Sequence, residues 1–169
     1  LCHTMEEVWK LFKTQNCESV HLKPYPSINE KWKDDDLLRK WDKLKLIRKA
    51  VNSLIEKARS EKKIGSSLEL EVYIDTADKE VEKILRNTDM KEICIISGFN
   101  LETYDENIKN VLAFEEVGAI KMKIWISKSV NGICLRCWQR CKEINNKNDL
   151  CNRCSKVIND VKNISKKDT

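Results

Sequence analysis

Two cysteine pairs, Cys134-Leu-Arg-Cys137 and Cys151-Asn-Arg-Cys154, decide the fold of the last part of this chain. Each pair can form a tight turn that brings two thiolates to the same ion, and four thiolates suit the tetrahedral preference of Zn²⁺. Thirteen residues separate Cys137 from Cys151. Because a segment of about twenty residues cannot bury enough apolar surface to fold alone, we expect one structural zinc ion to supply its folding free energy.

The cysteine pattern leaves other interpretations open. A redox dithiol would normally open a helix in a βαβ unit, which the surrounding sequence does not suggest. Disulfides would be favoured by a secretory signal, and none is visible. A register in which Cys141 replaces Cys137 as a ligand is also possible, although it breaks the symmetry of the two pairs. A closed site of four cysteines has no open position for a substrate, so we expect no catalytic centre here.

Charge is segregated along the 169 residues, which carry a net charge of +5. Residues 66–117 hold thirteen acidic and five basic side chains, whereas residues 1–65 have a net charge of +5 and residues 128–169 of +6. Basic ends around an acidic middle suggest a polyanion that contacts the ends, although ordinary solvated faces would give the same pattern. No apolar run approaches the ~18–20 residues of a membrane span. Four of the eight cysteines have metal-binding spacing and the other four are scattered. Because this pattern is typical of proteins in a reducing compartment, we expect a cytoplasmic protein.

Residues 1–65 are predicted to be helical. Thr4 and Glu7 fit a capping box at the start of a short helix, and the acids Asp34-Asp35-Asp36 suit the positive end of a long one. Apolar residues of the long helix recur every three or four positions, as on one buried face. They are Leu37, Trp41, Leu44, Ile47, Val51, Leu54 and Ala58. Gly65 is expected to take the left-handed turn that ends this helix. Only the short first helix is available in the chain to cover the apolar face, so we expect further helices of a bundle elsewhere in a longer protein.

Residues 66–127 are predicted to form a small α+β unit of about three strands and one or two helices. Alternation predicts half-buried strands at 68–74 and 119–126, the second with Ile120, Met122, Ile124 and Ile126 on one face. The apolar run Ile93–Ile96 predicts a buried strand that ends at Gly98.

The remaining segments of the chain complete this prediction. Asp75 or Thr76 can cap a helix after the first strand, and residues 99–117 show no clear pattern. Residues 128–169 are expected to form the zinc ribbon or knuckle, closed by a short helix at Ser155–Val161 and followed by a basic tail. The fold class is therefore predicted to be α+β, with a helical segment, a small α+β unit and a Cys₄ zinc module.

Several stretches carry a family resemblance through their order and spacing. They are His3 to Trp9, Glu18 to Leu22, Leu44 to Ile55, Ile64 to Glu69, Cys134 to Trp138 and Leu150 to Cys154. Together they resemble the C-terminal end of bacterial-type isoleucyl-tRNA synthetases, over nearly the whole chain. The resemblance implies the end of a helical anticodon-binding domain in residues 1–65, a junction unit in 66–127 and a zinc module in 128–169.

The resemblance also implies a function. Enzymes of this family activate isoleucine with ATP and Mg²⁺, transfer it to its tRNA and hydrolyse mischarged valine, and this chain would dock the anticodon arm. The two ATP-site signatures of the class are absent, because Lys121 to Lys128 only superficially resembles the lysine-rich one and its alternation indicates a strand. The implied partners are isoleucine tRNA and the rest of the synthetase chain. We expect a monomer without membrane contact and without catalytic residues of its own.

Side chains around the cysteine pairs have the chemistry to clamp an anticodon loop, since loop bases stack on aromatic and guanidinium planes while basic groups hold phosphates. They are Arg136, Trp138, Arg140, Lys142 and Arg153. Trp138 could instead shield the zinc sulfurs, and Arg136 and Arg153 could simply bond nearby carbonyls. The alternative function is a zinc-stabilised module for docking another protein, without RNA binding. A free-standing enzyme is not supported by any nucleophile–base set, glycine-rich phosphate loop or open metal site.

Overall fold

A computed structural model describes residues 1–12, 17–118, 121–144 and 149–165 of the chain, with side chains of the last helix described as far as residue 161. The chain divides into two compact units, residues 1–36 and residues 37–169. Within the described residues, no helix combines the length and the apolar character that a membrane crossing requires.

The first unit is built on helix α1 (Cys2–Leu11) and the connector that follows it. The Trp9 indole donates a hydrogen bond to the Cys17 carbonyl oxygen at 2.9 Å, and the Ser19 hydroxyl donates to the Glu6 carboxylate at 2.9 Å. These bonds hold the predicted connector against the predicted helix.

The start of α1 differs from the prediction. The helix begins at Cys2, with Leu1 as N-cap and no side-chain cap, so the capping box predicted at Thr4 and Glu7 is wrong. In the structure the Glu6 carboxylate is used by the connector, and short 3₁₀ turns follow at Val20–Leu22 and Glu30–Trp32.

Helix α2 (Asp35–Ser60) buries the predicted apolar face over most of its length. Its buried residues are Leu44, Ile47, Ala50, Val51, Leu54, Ile55 and Ala58. At the start of the predicted face, Leu37 is 47% and Trp41 is 43% exposed. The buried face shares one hydrophobic core with the sheet described below. The expectation that only the short first helix of the chain could cover this face is therefore wrong, because periodicity indicates burial and not the packing partner.

The end of α2 is a Schellman motif. The Lys62 amide bonds the Arg59 carbonyl oxygen at 2.9 Å, and the Lys63 amide bonds that of Ala58 at 3.0 Å. Lys62 is the left-handed residue, with φ of 56°, whereas Gly65 has no positive φ. The prediction that Gly65 makes this turn is therefore wrong, because the motif closes three residues earlier.

Four strands form the sheet of the second unit: β1 (Leu70–Thr76), β2 (Gly98–Leu101), β3 (Val111–Val117) and β4 (Met122–Lys128). Their order is β2-β1-β4-β3, with β1 parallel to β2 and the other neighbours antiparallel. The predicted strands at 68–74 and 119–126 correspond to β1 and β4.

Because apolar and polar side chains alternate in β1 and β4, one face of the sheet is apolar and packs in the core shared with α2. Its residues are Leu70, Val72, Ile74, Met122, Ile124 and Ile126, while Ile120 lies outside the described residues. On the other face Tyr73 stacks on Trp125 with ring centroids 5.5 Å apart. This core contains residues from both sides of residue 65. The domain boundary predicted between residues 65 and 66 therefore remains a proposal.

Two short helices connect β1 to β2. Helix α3 (Lys79–Arg86) is capped by Asp78, slightly later than predicted, and helix α4 (Met90–Cys94) is capped by Asp89. The strand predicted at Ile93–Ile96 is wrong, because the Asp89 carboxylate accepts bonds from two amides of a helix that includes the start of this run. A short apolar run does not distinguish a strand from a buried helix.

The last part of the chain is a hairpin and a helix. Strands β5 (Gly132–Ile133) and β6 (Arg140–Cys141) pair antiparallel, and helix α5 (Asn152–Ser165) follows. The predicted closing helix is confirmed, although it begins three residues earlier than Ser155. Residues 166–169 of the predicted basic tail lie outside the described residues.

Candidate metal centre and nucleic-acid interface

The four cysteines of the two predicted pairs come together at the start of α5 and in the loop of the β5–β6 hairpin. Their sulfurs all lie within 4.8 Å of one another, and those of Cys137 and Cys151 are 3.8 Å apart. Four sulfurs at ~2.3 Å from one ion in a tetrahedron are separated by ~3.8 Å. All eight cysteines are free thiols, so the disulfide interpretation has no support in the structure. The four cysteines could therefore hold one metal ion.

The first pair is shaped by the hairpin loop. The Cys134 amide donates to the Gln139 carbonyl oxygen at 2.9 Å, and the Trp138 amide donates to the Cys134 carbonyl oxygen at 2.8 Å. Trp138 turns the chain back with φ of 62°, in the left-handed region that glycine usually occupies. This loop places the first two sulfurs on the same side of the hairpin.

The second pair is shaped by the helix. Cys151 directly precedes α5 and Cys154 lies in its first turn, where the Ser155 amide bonds the Cys151 carbonyl oxygen at 2.9 Å. The Cys151 amide also donates to the Cys134 sulfur at 3.3 Å, which joins the two pairs. A pair that opens a helix is one feature of redox dithiols, but here its sulfurs face two further cysteines, and the described strands that precede it, β5 and β6, pair antiparallel.

The sulfurs have different electrostatic surroundings. Burial alone would raise the pKa of the Cys134 thiol, but the backbone amides of Cys137, Cys151 and Arg136 outweigh it and lower that pKa to about 6. Burial raises the pKa of Cys151 to about 12. Amide hydrogen bonds to sulfur are the contacts that stabilise thiolates, which are the form that binds metal.

Two arginines cross between the pairs. Arg136, from the first pair, donates to the Cys154 sulfur at 3.7 Å, and its guanidinium lowers the pKa of Cys154. The Cys137 sulfur raises the pKa of Arg153, from the second pair. Two of the three predicted RNA-binding arginines thus lie beside the sulfurs, and their side chains remain exposed.

Arg140 ties the hairpin to the sheet. Its amide donates to the Ser97 hydroxyl at 2.7 Å, and its Nη1 donates to the Asn131 carbonyl oxygen at 3.1 Å. The Asn131 side chain and the Ser129 hydroxyl in turn donate to the Glu71 carboxylate on β1, at 3.1 Å and 2.7 Å. Sequence reasoning missed this network, because separate polar residues carry no pattern that indicates a shared contact.

The other two predicted RNA-binding residues face solvent. Trp138 is 68% exposed, so it shields the sulfurs little, and it lines one surface pocket together with the exposed Ile133. Lys142 is exposed and lines an open cleft of about 550 Å³ between β2 and the hairpin. Arg140 and Arg153 line the same cleft, as do Glu71, Asp89, Glu92 and Glu143.

Comparison of the sequence with known proteins identifies the class of protein to which this chain is similar. Residues 1–74 match the family described as the anticodon-binding domain of tRNA ligases. The chain is 37% identical over 158 residues to the isoleucine–tRNA ligase of Zymomonas mobilis and 35% identical over 164 residues to that of Natranaerobius thermophilus, with 94% of the chain covered in both. The corresponding enzyme of Staphylococcus haemolyticus is 34% identical over 163 residues.

These matches identify the chain in two steps. It carries the anticodon-binding domain of a tRNA ligase, followed by a cluster of four cysteines that could hold a metal ion. Within that class it belongs to the isoleucine–tRNA ligase family. The chain spans only 15–17% of the length of these three relatives, so it corresponds to a part of such an enzyme.

Proposed function

We propose that this chain binds the anticodon arm of isoleucine tRNA as part of an isoleucine–tRNA ligase. The observation that carries the proposal is the cluster of four sulfurs within 4.8 Å, with the exposed Trp138 beside it and cationic side chains around it. An unstacked loop base can lie on an exposed indole while guanidinium and ammonium groups hold the phosphates. The parent enzyme would use ATP and Mg²⁺ to attach isoleucine and would remove valine, through residues outside this chain.

The ion that fits the site is Zn²⁺. Four thiolates in a closed tetrahedral arrangement match its structural sites, and the sulfur spacing agrees with the bond lengths that zinc requires. Bound zinc would supply folding free energy to a module whose described residues form two short strands and one helix, and it would take no part in chemistry. Cytoplasmic location of the parent enzyme, where thiols stay reduced, agrees with eight free cysteines.

The two crossed arginines have a further effect on RNA. A zinc ion with four thiolates carries about two negative charges, which would repel phosphate. Arg136 and Arg153 lie against these sulfurs and balance that charge. Lys142 and the outer edges of both guanidinium groups then give the module its positive surface.

The double variant Arg136→Ala, Arg153→Ala tests this proposal. In a filter-binding titration of isoleucine tRNA at several salt concentrations, we expect affinity to fall about tenfold and the salt slope to decrease by about 1–2. Zinc content is measured on the same samples, and the pair Arg136→Lys, Arg153→Lys should restore the salt slope because it keeps both charges. Arg86→Ala, which removes an exposed arginine from α3, is the matched control and should bind tRNA as the unchanged chain does.

The same titration distinguishes RNA binding from the alternative function, which is docking of another protein. The exposed apolar residues Ile133, Leu135 and Val130 favour a module that docks another protein. That function predicts no salt-dependent binding of any RNA. Unchanged affinity and unchanged salt slope in the double variant, with zinc retained, would contradict the RNA role of both arginines.

A further inference from the structure

A fifth thiol lies against the four-cysteine cluster. Cys141, the last residue of β6, packs against the cluster. Its own sulfur also bonds the Gln139 carbonyl oxygen at 3.8 Å. Among the described residues, no other cysteine outside the cluster packs against it, and Cys94 lies instead in the main hydrophobic core.

Cys141 and Cys151 are further related by a shared cleft. Cys141 and Cys151 line the same open cleft of about 550 Å³, together with Lys142 and Arg153. The thiol of Cys141 is free and only partly buried. A small oxidant in this cleft would lie beside one residue of the ligand set and one further cysteine.

We propose that Cys141 and Cys151 form an oxidation site, in which a hydroperoxide closes them into a disulfide and thereby releases the bound metal. This inference rests on the proposed zinc site. A disulfide would withdraw Cys151 from the ligand set and leave three thiolates, which form a weaker site for zinc. The surface that binds RNA would then lose its shape, and a dithiol reductant would restore it.

The chemistry proceeds in two steps with balanced atoms and electrons. The Cys151 thiolate attacks the hydroperoxide, so a sulfur–oxygen bond forms, the oxygen–oxygen bond breaks and an alcohol leaves after taking up a proton. The Cys141 sulfur then attacks the resulting sulfenic acid, so the disulfide forms and the hydroxyl leaves as water with the Cys141 proton. The two sulfurs together lose two electrons, which reduce the hydroperoxide to alcohol and water.

Peroxide treatment of the zinc-loaded chain tests the inference. Hydrogen peroxide is added to the unchanged chain, to Cys141→Ser and to the control Cys2→Ser, which changes an exposed thiol of the first unit. Released zinc is followed with a coloured chelator, and disulfides are mapped by mass spectrometry after alkylation. We expect a Cys141–Cys151 disulfide in the unchanged chain and in Cys2→Ser, and zinc release about tenfold slower in Cys141→Ser.

Several results would overturn the inference. Equal zinc release from Cys141→Ser and the unchanged chain would do so, as would a disulfide that joins Cys151 to another ligand instead. If Cys141→Ser binds less zinc before peroxide is added, zinc release is measured on Cys141→Ala instead. The disulfide map of the unchanged chain then shows whether Cys141 and Cys151 are joined. Zinc content and tRNA affinity are measured before peroxide is added, so failure of the proposed function is seen separately.

Discussion

At the scale of the residue, Trp138 has two conflicting properties. It occupies the left-handed region with φ of 62°, which costs a residue other than glycine about 1–2 kcal/mol. Its side chain is 68% exposed, so burial does not offset that cost. The turn that follows the first cysteine pair needs a residue in this conformation, and glycine would serve it better. We propose that a ligand which stacks on the indole accounts for a large aromatic residue at this position.

Replacing Trp138 by glycine should separate the two properties. We expect Trp138→Gly to retain its zinc and to be as stable as the unchanged chain or more stable, because the strain is relieved. Its affinity for isoleucine tRNA should fall about tenfold or more, since one base–aromatic stack contributes about 1–3 kcal/mol. Zinc content, urea unfolding and tRNA titration measure the three effects.

A neighbouring variant supplies the control. Leu135→Ala shortens an exposed apolar residue of the same loop and should change tRNA affinity little. If Trp138→Gly bound tRNA as tightly as the unchanged chain, the stacking role would be wrong, and the indole would have no explanation in this account.

At the scale of the element, α2 ends without the glycine that its Schellman motif favours. Lys62 takes the left-handed position, while the amides of Lys62 and Lys63 bond carbonyls of the last turn. The hydrogen bonds are therefore in place, but a side chain occupies a position where Cβ is unfavourable. This helix carries a large share of the core, so its end affects the stability of the second unit.

The variant Lys62→Gly should raise the free energy of unfolding by about 0.5–1 kcal/mol, because the relief of strain exceeds the added freedom of the unfolded chain. Urea unfolding followed by circular dichroism measures the change. The control Lys57→Gly places the same substitution at an exposed position inside α2, where it should lower stability by about 1 kcal/mol. A loss of stability in Lys62→Gly would contradict the assignment of this turn.

At the scale of the whole molecule, the sequence predicted the elements whose signals are local and periodic. Alternation was sufficient to predict β1 and β4, and periodicity was sufficient to predict most of the buried face of α2. The spacing of the four cysteines was sufficient to predict their cluster. The predicted strand at Ile93–Ile96 failed, because four apolar residues fit a helix as well as a strand and the cap at Asp89 was decisive.

Other features depend on contacts between distant residues. The apolar face of α2 indicates burial but not its partner, and its partner is the sheet. Strands β2 and β3 lie in the region that showed no pattern. Glycine is required at position 98, because a Cβ there would meet the Glu71 side chain at 2.6 Å. The bond from Arg140 to Ser97, which positions the hairpin on the sheet, joins residues 43 positions apart.

The central claim is that zinc held by four cysteines shapes a surface that binds RNA. The most direct test measures the affinity of the chain for isoleucine tRNA before zinc removal, after removal by a chelator and after zinc is restored. We predict one zinc per chain, a loss of affinity of at least about tenfold when zinc is removed, and recovery when it returns. A chain without zinc that binds tRNA as tightly as the zinc-loaded chain would contradict the account.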